Sequence, residues 1–286
     1  MDEILVILNP TARSARARNA WKRIGQLPNC TTVHATSAAG EARAIAAQAA
    51  EKGYRIVVAA GGDGTINEVV NGLAGTDVAL GVLPVGTMNV FATELGLPSR
   101  LGDAWRVIQT GHTREIDLAA ANRQYFVQLA GVGLDAQVVK ETPSDMKRNL
   151  GPLSYLISAA QVVARKPPVV IAEADGRSVE GSFVLVGNGR FYGGPFAFFK
   201  DARIDDGQLD VLVFKNVSHL DIARYFGNIL MGSHTTLSDV EYFQTRKVHV
   251  RSDEAVPVEV DGELAMELPV TFRISSRKLR VVVPQK

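Results

Sequence analysis

The chain has 286 residues, 46% of them hydrophobic, and its 31 basic side chains nearly balance 30 acidic ones. That content supplies core for one large or two ordinary domains and excludes disorder, while a net charge of +1 and the lack of basic clusters interleaved with aromatics give a nucleic-acid role no support. Cys30 is the single cysteine, which excludes an intrachain disulfide and a cysteine zinc site, and His34, His112, His219, His234 and His249 show no ligand spacing.

The N-terminal Met1-Asp2-Glu3 is acidic and the apolar run Ile4–Leu8 is far shorter than a signal core, so no signal peptide is expected. No apolar stretch reaches the roughly 18 residues that span a bilayer. The composition suits a reducing cytosol. Strands are predicted at Ile4–Leu8, Thr32–Ala35, Ile56–Ala60 and Val78–Leu83, with helical patterns at Ser14–Gln26, Gly40–Lys52, Thr65–Leu73 and Leu101–Gln109. Such alternation predicts a layered, mostly parallel α/β domain over residues 1–116. From 117 to 276 the texture changes to closely spaced apolar runs at Tyr125–Ala130, Val169–Ala174, Ser182–Val186, Leu209–Phe214, Lys247–Val250 and Thr271–Ile274. Helical patterns at Ser154–Ala164 and Ser218–Met231 interrupt them, and the whole predicts a mostly antiparallel β-sandwich. Leu279–Val283 reads as an unaccompanied terminal strand.

Three strand ends carry the chemistry. Val57-Val58-Ala59-Ala60 empties into Gly61-Gly62-Asp63-Gly64-Thr65-Ile66-Asn67, where glycines allow close backbone approach to an anion and the helix that follows offers unpaired amides. A carboxylate beside phosphate makes sense when it holds magnesium or receives a proton from a hydroxyl nucleophile. The same residues would also serve a tight strand-to-helix turn capped by Asp63. The run ending at Val85 leads into Gly86-Thr87-Met88-Asn89, and the first strand into Asn9-Pro10-Thr11-Ala12-Arg13, whose arginine suits phosphate. Ligands of open α/β sheets bind at this edge.

In order, the Asn-Pro-Thr turn, Thr36 before Gly40-Glu41-Ala42, the run from Gly61 to Val69 and the turn Pro84–Asn89 resemble the diacylglycerol-kinase catalytic family, which includes soluble bacterial lipid kinases and the sphingosine and ceramide kinases. Glu141-Thr142-Pro143-Ser144, Gly187-Asn188-Gly189, Asp205–Asp210 and Val260-Asp261-Gly262-Glu263 continue the resemblance almost to the chain end. It implies an N-terminal nucleotide-binding fold like that of NAD kinases, with the terminal strand 277–286 returning to it, and a C-terminal β-rich lipid domain.

What the resemblance implies for the site is specific. ATP would lie on Asn9, Pro10, Thr11, Ala12, Arg13, Thr36, Gly61, Gly62, Asp63, Gly64, Thr65, Ile66, Asn67, Gly86, Thr87 and Asn89. A structural Mg2+ would take Asp206 with the carbonyls of Arg203 and Gln208. Glu263 and Asp63 compete as proton acceptor, and Asp117 would join the network that links metal to the catalytic glutamate. From composition alone the Asp205–Asp210 stretch is also an ordinary acidic turn, and Asp261-Gly262 an ordinary hairpin. Many bacterial relatives carry an aspartate where Val90 stands here, which puts the acceptor lipid in doubt.

The activity implied is an ATP-dependent kinase acting on a lipid hydroxyl, diacylglycerol-like or sphingoid- or phosphatidylglycerol-like, that visits the inner face of the membrane from the cytosol by peripheral contact. A homodimer is compatible with this reading. A NAD-kinase-like enzyme and a non-catalytic nucleotide or lipid sensor are the alternatives. The aromatic stretch Phe191–Phe199 reads by default as core and is the best candidate for a lipid contact, and Arg16, Arg18, Lys22 and Arg23 read as a solvated face with anionic headgroups as the alternative partner.

Overall fold

A computed structural model describes residues 4–10, 22–27, 32–134, 136–137 and 168–285. The predicted helix at 154–164 and most of that at 14–26 lie outside these residues, as do Glu141–Ser144. The chain divides into two compact units, one made of Met1–Leu118 with Ser276–Lys286 and the other of Ala119–Ser275.

In the first unit, strands β1 (Ile4–Leu8), β2 (Thr32–Ala35), β3 (Ile56–Gly61) and β4 (Ala79–Pro84) run parallel in the order β2-β1-β3-β4. Parallel strands need helical crossovers, and those crossovers cover the sheet on its faces. Accordingly β3 and β4 are buried along nearly their whole length. Helices α1 (Glu41–Glu51), α2 (Asp63–Leu73), α3 (Val90–Glu94) and α4 (Leu101–Thr110) follow the strands. On one side Trp105 and Ile108 of α4 pack with Val6, Leu8, Val58, Ala60 and Leu83 of the sheet. Helices α1 and α2 meet at Gly72, where a Cβ would fall 2.4 Å from the Arg43 carbonyl oxygen. Only glycine allows that approach.

The second unit is antiparallel. A six-stranded sheet in the order β14-β13-β10-β7-β16-β17 comprises Val240–Thr245, Leu209–Phe214, Phe183–Gly187, Leu129–Val132, Pro257–Val260 and Glu263–Glu267. Lys247–Arg251 (β15), Val170–Ala174 (β8) and Arg177–Gly181 (β9) form a second layer with the beginning of β18 (Val270–Val282). Alternate residues explain the sandwich: Val184 and Val186 enter one core with Val248, Val250 and Phe272, whereas Phe183 and Leu185 enter another with Phe199, Leu212 and Tyr225. That second core lies under α5 (His219–Met231), which starts at Ser218, whose Oγ accepts the Asp221 amide at 3.1 Å.

Two sequence expectations change. Tyr125–Ala130 is two strands, Gln124–Phe126 (β6) and Leu129–Val132, broken at Val127 and Gln128 by bonds described below. Thr271–Ile274 and Leu279–Val283 join in the single strand β18, because the polar residues Ser275–Lys278 contain neither glycine nor proline to end it. Its end lies parallel to β4 at Val281 and Leu80, so it is not unaccompanied. Phe191–Phe199 is a short hairpin whose Phe199 is 1% exposed, with Phe196 edge-on to Phe226 at 5.5 Å and Tyr192 edge-on to Phe198 at 5.4 Å. Phe199 thus belongs to the second core, with Tyr192 and Phe198 partly buried against it, which is the default reading of this stretch.

Candidate active site

In the first unit the three strand ends meet through side chains. The Asn9 amide donates to Thr65 Oγ1 at 3.1 Å, and its own backbone N–H donates to the Ala60 carbonyl at 3.1 Å. A Cβ on Gly61 would fall 2.5 Å from Thr65 Cβ, and one on Gly86 would fall 2.5 Å from Gly62 Cα. Gly86 therefore serves the contact of turn with turn, and Gly61 the packing of Thr65 within its own turn. Thr36 is buried behind them, its N–H donating to the Leu8 carbonyl at 2.9 Å.

Helix α2 begins at Asp63, two residues earlier than the sequence predicts, with Gly62 as its N-cap in extended conformation. Asp63 does not cap its own helix. Its Oδ1 accepts the Phe91 amide of α3 at 3.3 Å, and burial pushes its carboxyl above the ordinary carboxylate range while the amides of Phe91, Val90 and Asn89 pull it down. Asn89 takes the left-handed conformation at φ 51°, donates to the Gly86 carbonyl at 2.9 Å, and leaves Oδ1 buried with no partner among the described residues. Val90 is a buried valine, and the position presents no carboxylate.

Amides that precede the first intrahelical bond of α2 belong to Asp63, Gly64 and Thr65, since Ile66 N–H already donates to the Gly62 carbonyl at 3.1 Å. Ile66 itself is 1% exposed and fills the core. Asn67 accepts the Asn71 amide at 3.1 Å along the helix. Thr87 is exposed in the turn before α3 and Pro10 is exposed after β1. Thr11, Ala12 and Arg13 lie outside the described residues.

Glu68 is a participant that sequence reasoning missed. From α2 its two oxygens accept the Gly40 amide at 3.0 Å and the Ala42 amide at 3.1 Å, capping α1 from another helix. Glu41 bends back to the Ser37 amide at 2.6 Å and its hydroxyl at 2.9 Å, which fixes the turn after Thr36 and lowers the Glu41 pKa. A cap delivered across 26 to 28 residues has no local sequence signal. Asp117, fully buried at the end of this unit, is ion-paired with Lys278 of β18.

In the second unit Asp261 is the hub. Its carboxylate accepts three consecutive amides, Val127 at 3.1 Å, Gln128 at 3.0 Å and Leu129 at 3.2 Å, which is what separates β6 from β7. Asn188 donates to the Val127 carbonyl at 3.0 Å, and the amides of Asn188 and Gly189 reach the Gln128 carbonyl at 2.8 and 3.1 Å. Glu259, entirely buried, accepts the Gly262 amide at 2.6 Å. The Gly-Asn-Gly and Asp-Gly-Glu turns are thus locked to one loop, and Glu263 follows them, exposed, at the start of β17. An Asp-Gly pair with a left-handed aspartate, φ 49°, looks like any hairpin, which hid the role of Asp261 from sequence reasoning.

The loop 203–208 is built on itself. Asp206 Oδ1 accepts the Gln208 amide at 3.0 Å, the Asp206 amide donates to the Arg203 carbonyl at 3.3 Å, and Gly207 turns the chain at φ 76°. Among the described residues no three acidic, histidine or cysteine side chains gather as a metal cluster. One carboxylate with two carbonyls is nevertheless an all-oxygen donor set that suits a hard cation completed by water.

With this geometry in place, residues 3–121 match the family model described as diacylglycerol kinase catalytic domain, and residues 128–283 match that of the YegS C-terminal NAD kinase beta sandwich-like domain. The diacylglycerol kinase of Bacillus subtilis (strain 168) is 33% identical over 296 residues, covering 100% of this chain and 98% of that protein. That of Staphylococcus carnosus (strain TM300) is 32% identical over 260 residues, covering 89% and 85%. The crystal structure of a diacylglycerol kinase from Bacillus anthracis str. Sterne superposes with a TM-score of 0.82 at 26% identity over 99% of this chain and 97% of that one.

Proposed function

We propose, from the premise that the chain belongs to the diacylglycerol kinase family and is a lipid kinase, that it transfers the γ-phosphate of ATP to a lipid hydroxyl, with diacylglycerol as the first acceptor to test. The single observation that carries this reading is the backbone contact of Gly62 with Gly86, which aligns two glycine turns and the open amides of Gly64 and Thr65 at one edge of a parallel sheet. Such an edge suits a polyphosphate, because amides at a helix start favour negative charge and glycines let it come close.

Asn9, Thr36, Gly61, Gly62, Gly64, Thr65, Gly86, Thr87 and Asn89 would hold the nucleotide, with Pro10 to Arg13 at the same strand end. Asp63 orients the nucleophile or the ion that accompanies ATP; its raised pKa, caused by burial, matches a group able to accept a proton. Glu263 is the second candidate base, held at its place by the Asp261 and Glu259 bonds, and Asp117 is itself held by Lys278. Mg2+ at Asp206 and the carbonyls of Arg203 and Gln208 would supply charge that stiffens the loop. Phosphoryl transfer passes through a loose transition state, so positioning and charge neutralisation count for more than the strength of any one base.

No helix of the described residues is long and apolar enough to cross a membrane. The deciding experiment incubates the protein with radiolabelled ATP and magnesium over diacylglycerol, ceramide, sphingoid bases, phosphatidylglycerol and NAD in separate arms. Label in phosphatidic acid supports the reading. Label in NADP alone gives the NAD-kinase alternative, and no label in any arm with ATP still bound gives the sensor.

A further inference from the structure

Five large hydrophobic side chains are strongly exposed among the described residues, and three of them, Leu220 at 83%, Leu230 at 59% and Met231 at 73%, lie on α5. Positions 220, 223, 227, 230 and 231 recur at steps of three and four, so Leu220, Ala223, Gly227, Leu230 and Met231 share one stripe. The opposite face is already used: Tyr225 and Ile229 are buried, Ile222 packs against the second core, and Phe226 meets Phe196 of the aromatic hairpin. Among the described residues the helix is therefore apolar on both sides and only one side is covered.

The small residues between the large ones let the stripe lie flat on a surface. Its charges are largely neutralised where they stand. Arg224 is paired with Asp221 at 3.1 Å and with Asp239, which also accepts the Tyr225 hydroxyl at 2.7 Å and the Asn216 amide at 3.0 Å. Lys200, exposed, is bonded to the Gly232 carbonyl at the C-terminal end of the helix. Three aliphatic and two small side chains fall well short of the roughly 800 Å² per partner that a stable protein interface buries. They are enough for a helix lying in the interfacial plane, where apolar side chains enter about 5–10 Å into the headgroup boundary.

We infer that this stripe of α5 is a face that docks the protein on a lipid bilayer by apolar insertion. The inference rests on the lipid-kinase reading, and it shifts the expected contact from the aromatic hairpin to the helix that packs on it. The test uses vesicles of phosphatidylethanolamine and phosphatidylglycerol containing dioleoylglycerol. Leu220→Gln, Leu230→Gln and Met231→Gln together should lower the sedimented fraction and the vesicle activity about tenfold, while the melting temperature and the activity on monomeric dioctanoylglycerol stay unchanged. Raising the salt should change the ratio of wild-type to triple-variant binding less than twofold. An environment-sensitive fluorophore on Met231→Cys, in a Cys30→Ala background, should shift to the blue with vesicles, and one on Glu254→Cys should not.

A triple variant that binds vesicles like wild type overturns the docking face, as does a fluorophore that is buried without vesicles in a dimer. A wild type that phosphorylates neither form of the lipid sinks the kinase reading instead. In that case the fluorophore still decides the docking face by itself.

Discussion

Gly62 and Gly86 stand backbone to backbone, so that a Cβ on Gly86 would fall 2.5 Å from Gly62 Cα and 2.8 Å from Asn89 Oδ1. The first neighbour is backbone, and the second is the tip of a side chain held by the Asn89 Nδ2 bond to the Gly86 carbonyl at 2.9 Å. Gly86→Ala must push the two turns apart, and we expect ATP affinity to fall at least tenfold with a clear loss of melting temperature. Gly102→Ala is the control, since no atom lies within 4 Å of its Cβ. In the first turn of α4 it should be neutral or stabilising by about 0.5–1 kcal/mol. Isothermal titration with ATP and thermal melts of both variants check this, and equal behaviour would remove the glycine contact from the binding site.

Asp63→Asn keeps an acceptor for the Phe91 amide and removes the charge, so the fold and most ATP binding should survive. Turnover should drop by roughly a hundredfold or more if the carboxylate orients the reacting hydroxyl or its ion. Glu263→Gln, at an exposed position, gives the comparison. Whichever of the two loses more kcat at constant KM for ATP is the better proton acceptor, and near-normal turnover in both would leave the mechanism without either.

Asp206→Ala tests the cation loop. It removes the Oδ1 that accepts the Gln208 amide at 3.0 Å, and with it the side chain proposed for Mg2+. Added magnesium, without nucleotide, should raise the melting temperature of wild type and leave the variant unmoved. A magnesium response of equal size in both would make the loop an ordinary turn.

The parallel α/β unit was legible because its strands are continuous apolar runs emptying into glycine turns, and Ile4–Leu8 and Thr32–Ala35 are observed at their predicted bounds. The second unit was less so. Strands such as Leu209–Phe214 are buried on both faces by two separate cores, so the period of two is lost there, while Pro257–Val260 hides a buried glutamate inside a β pattern. Turn motifs announced where a site stands, but not which acceptor each carboxylate serves. Asp63 caps α3, Glu68 caps α1 and Asp261 holds the loop at 127–129, and each partner lies 26 to 134 residues away in the chain. Phe191–Phe199 has a composition that suits a core and a lipid contact alike, and the structure shows Phe199 buried with Tyr192 and Phe198 packed against the same core, as the default reading has it.

Lys278→Met should destabilise the first unit, because Asp117 is fully buried and loses its ion pair. Breaking a buried pair from one side costs about 3–5 kcal/mol, and the half-exposed lysine places this case at or below the lower end. Adding Asp117→Asn should recover part of the loss. A double variant no more stable than Lys278→Met in urea unfolding would mean that the pair carries no coupling.

Asp210 gives a pH test independent of activity. Its side chain is 1% exposed; Oδ1 accepts the Tyr242 hydroxyl and the Gln244 amide at 3.1 Å, and Oδ2 has no partner among the described residues. Burial, helped by the charges of Asp206 and Asp201, pushes its carboxyl up to about 6 against the two hydrogen bonds, which lower it. The folded state then binds this proton more tightly than the unfolded chain does. Stability from this group is complete below the ordinary value of 3.8 and is lost as pH rises to about 6. At about 1.4 kcal/mol per pKa unit, the upper bound of the loss is about 3 kcal/mol. Asp210→Asn keeps the Oδ1 bonds and cannot ionise, so any cost of its buried amide is the same at every pH. Urea unfolding from pH 4 to 7 in a chelator should show wild type losing about 2–3 kcal/mol relative to the variant across that window. Parallel stability curves would show that Asp210 is already ionised without penalty in the folded protein.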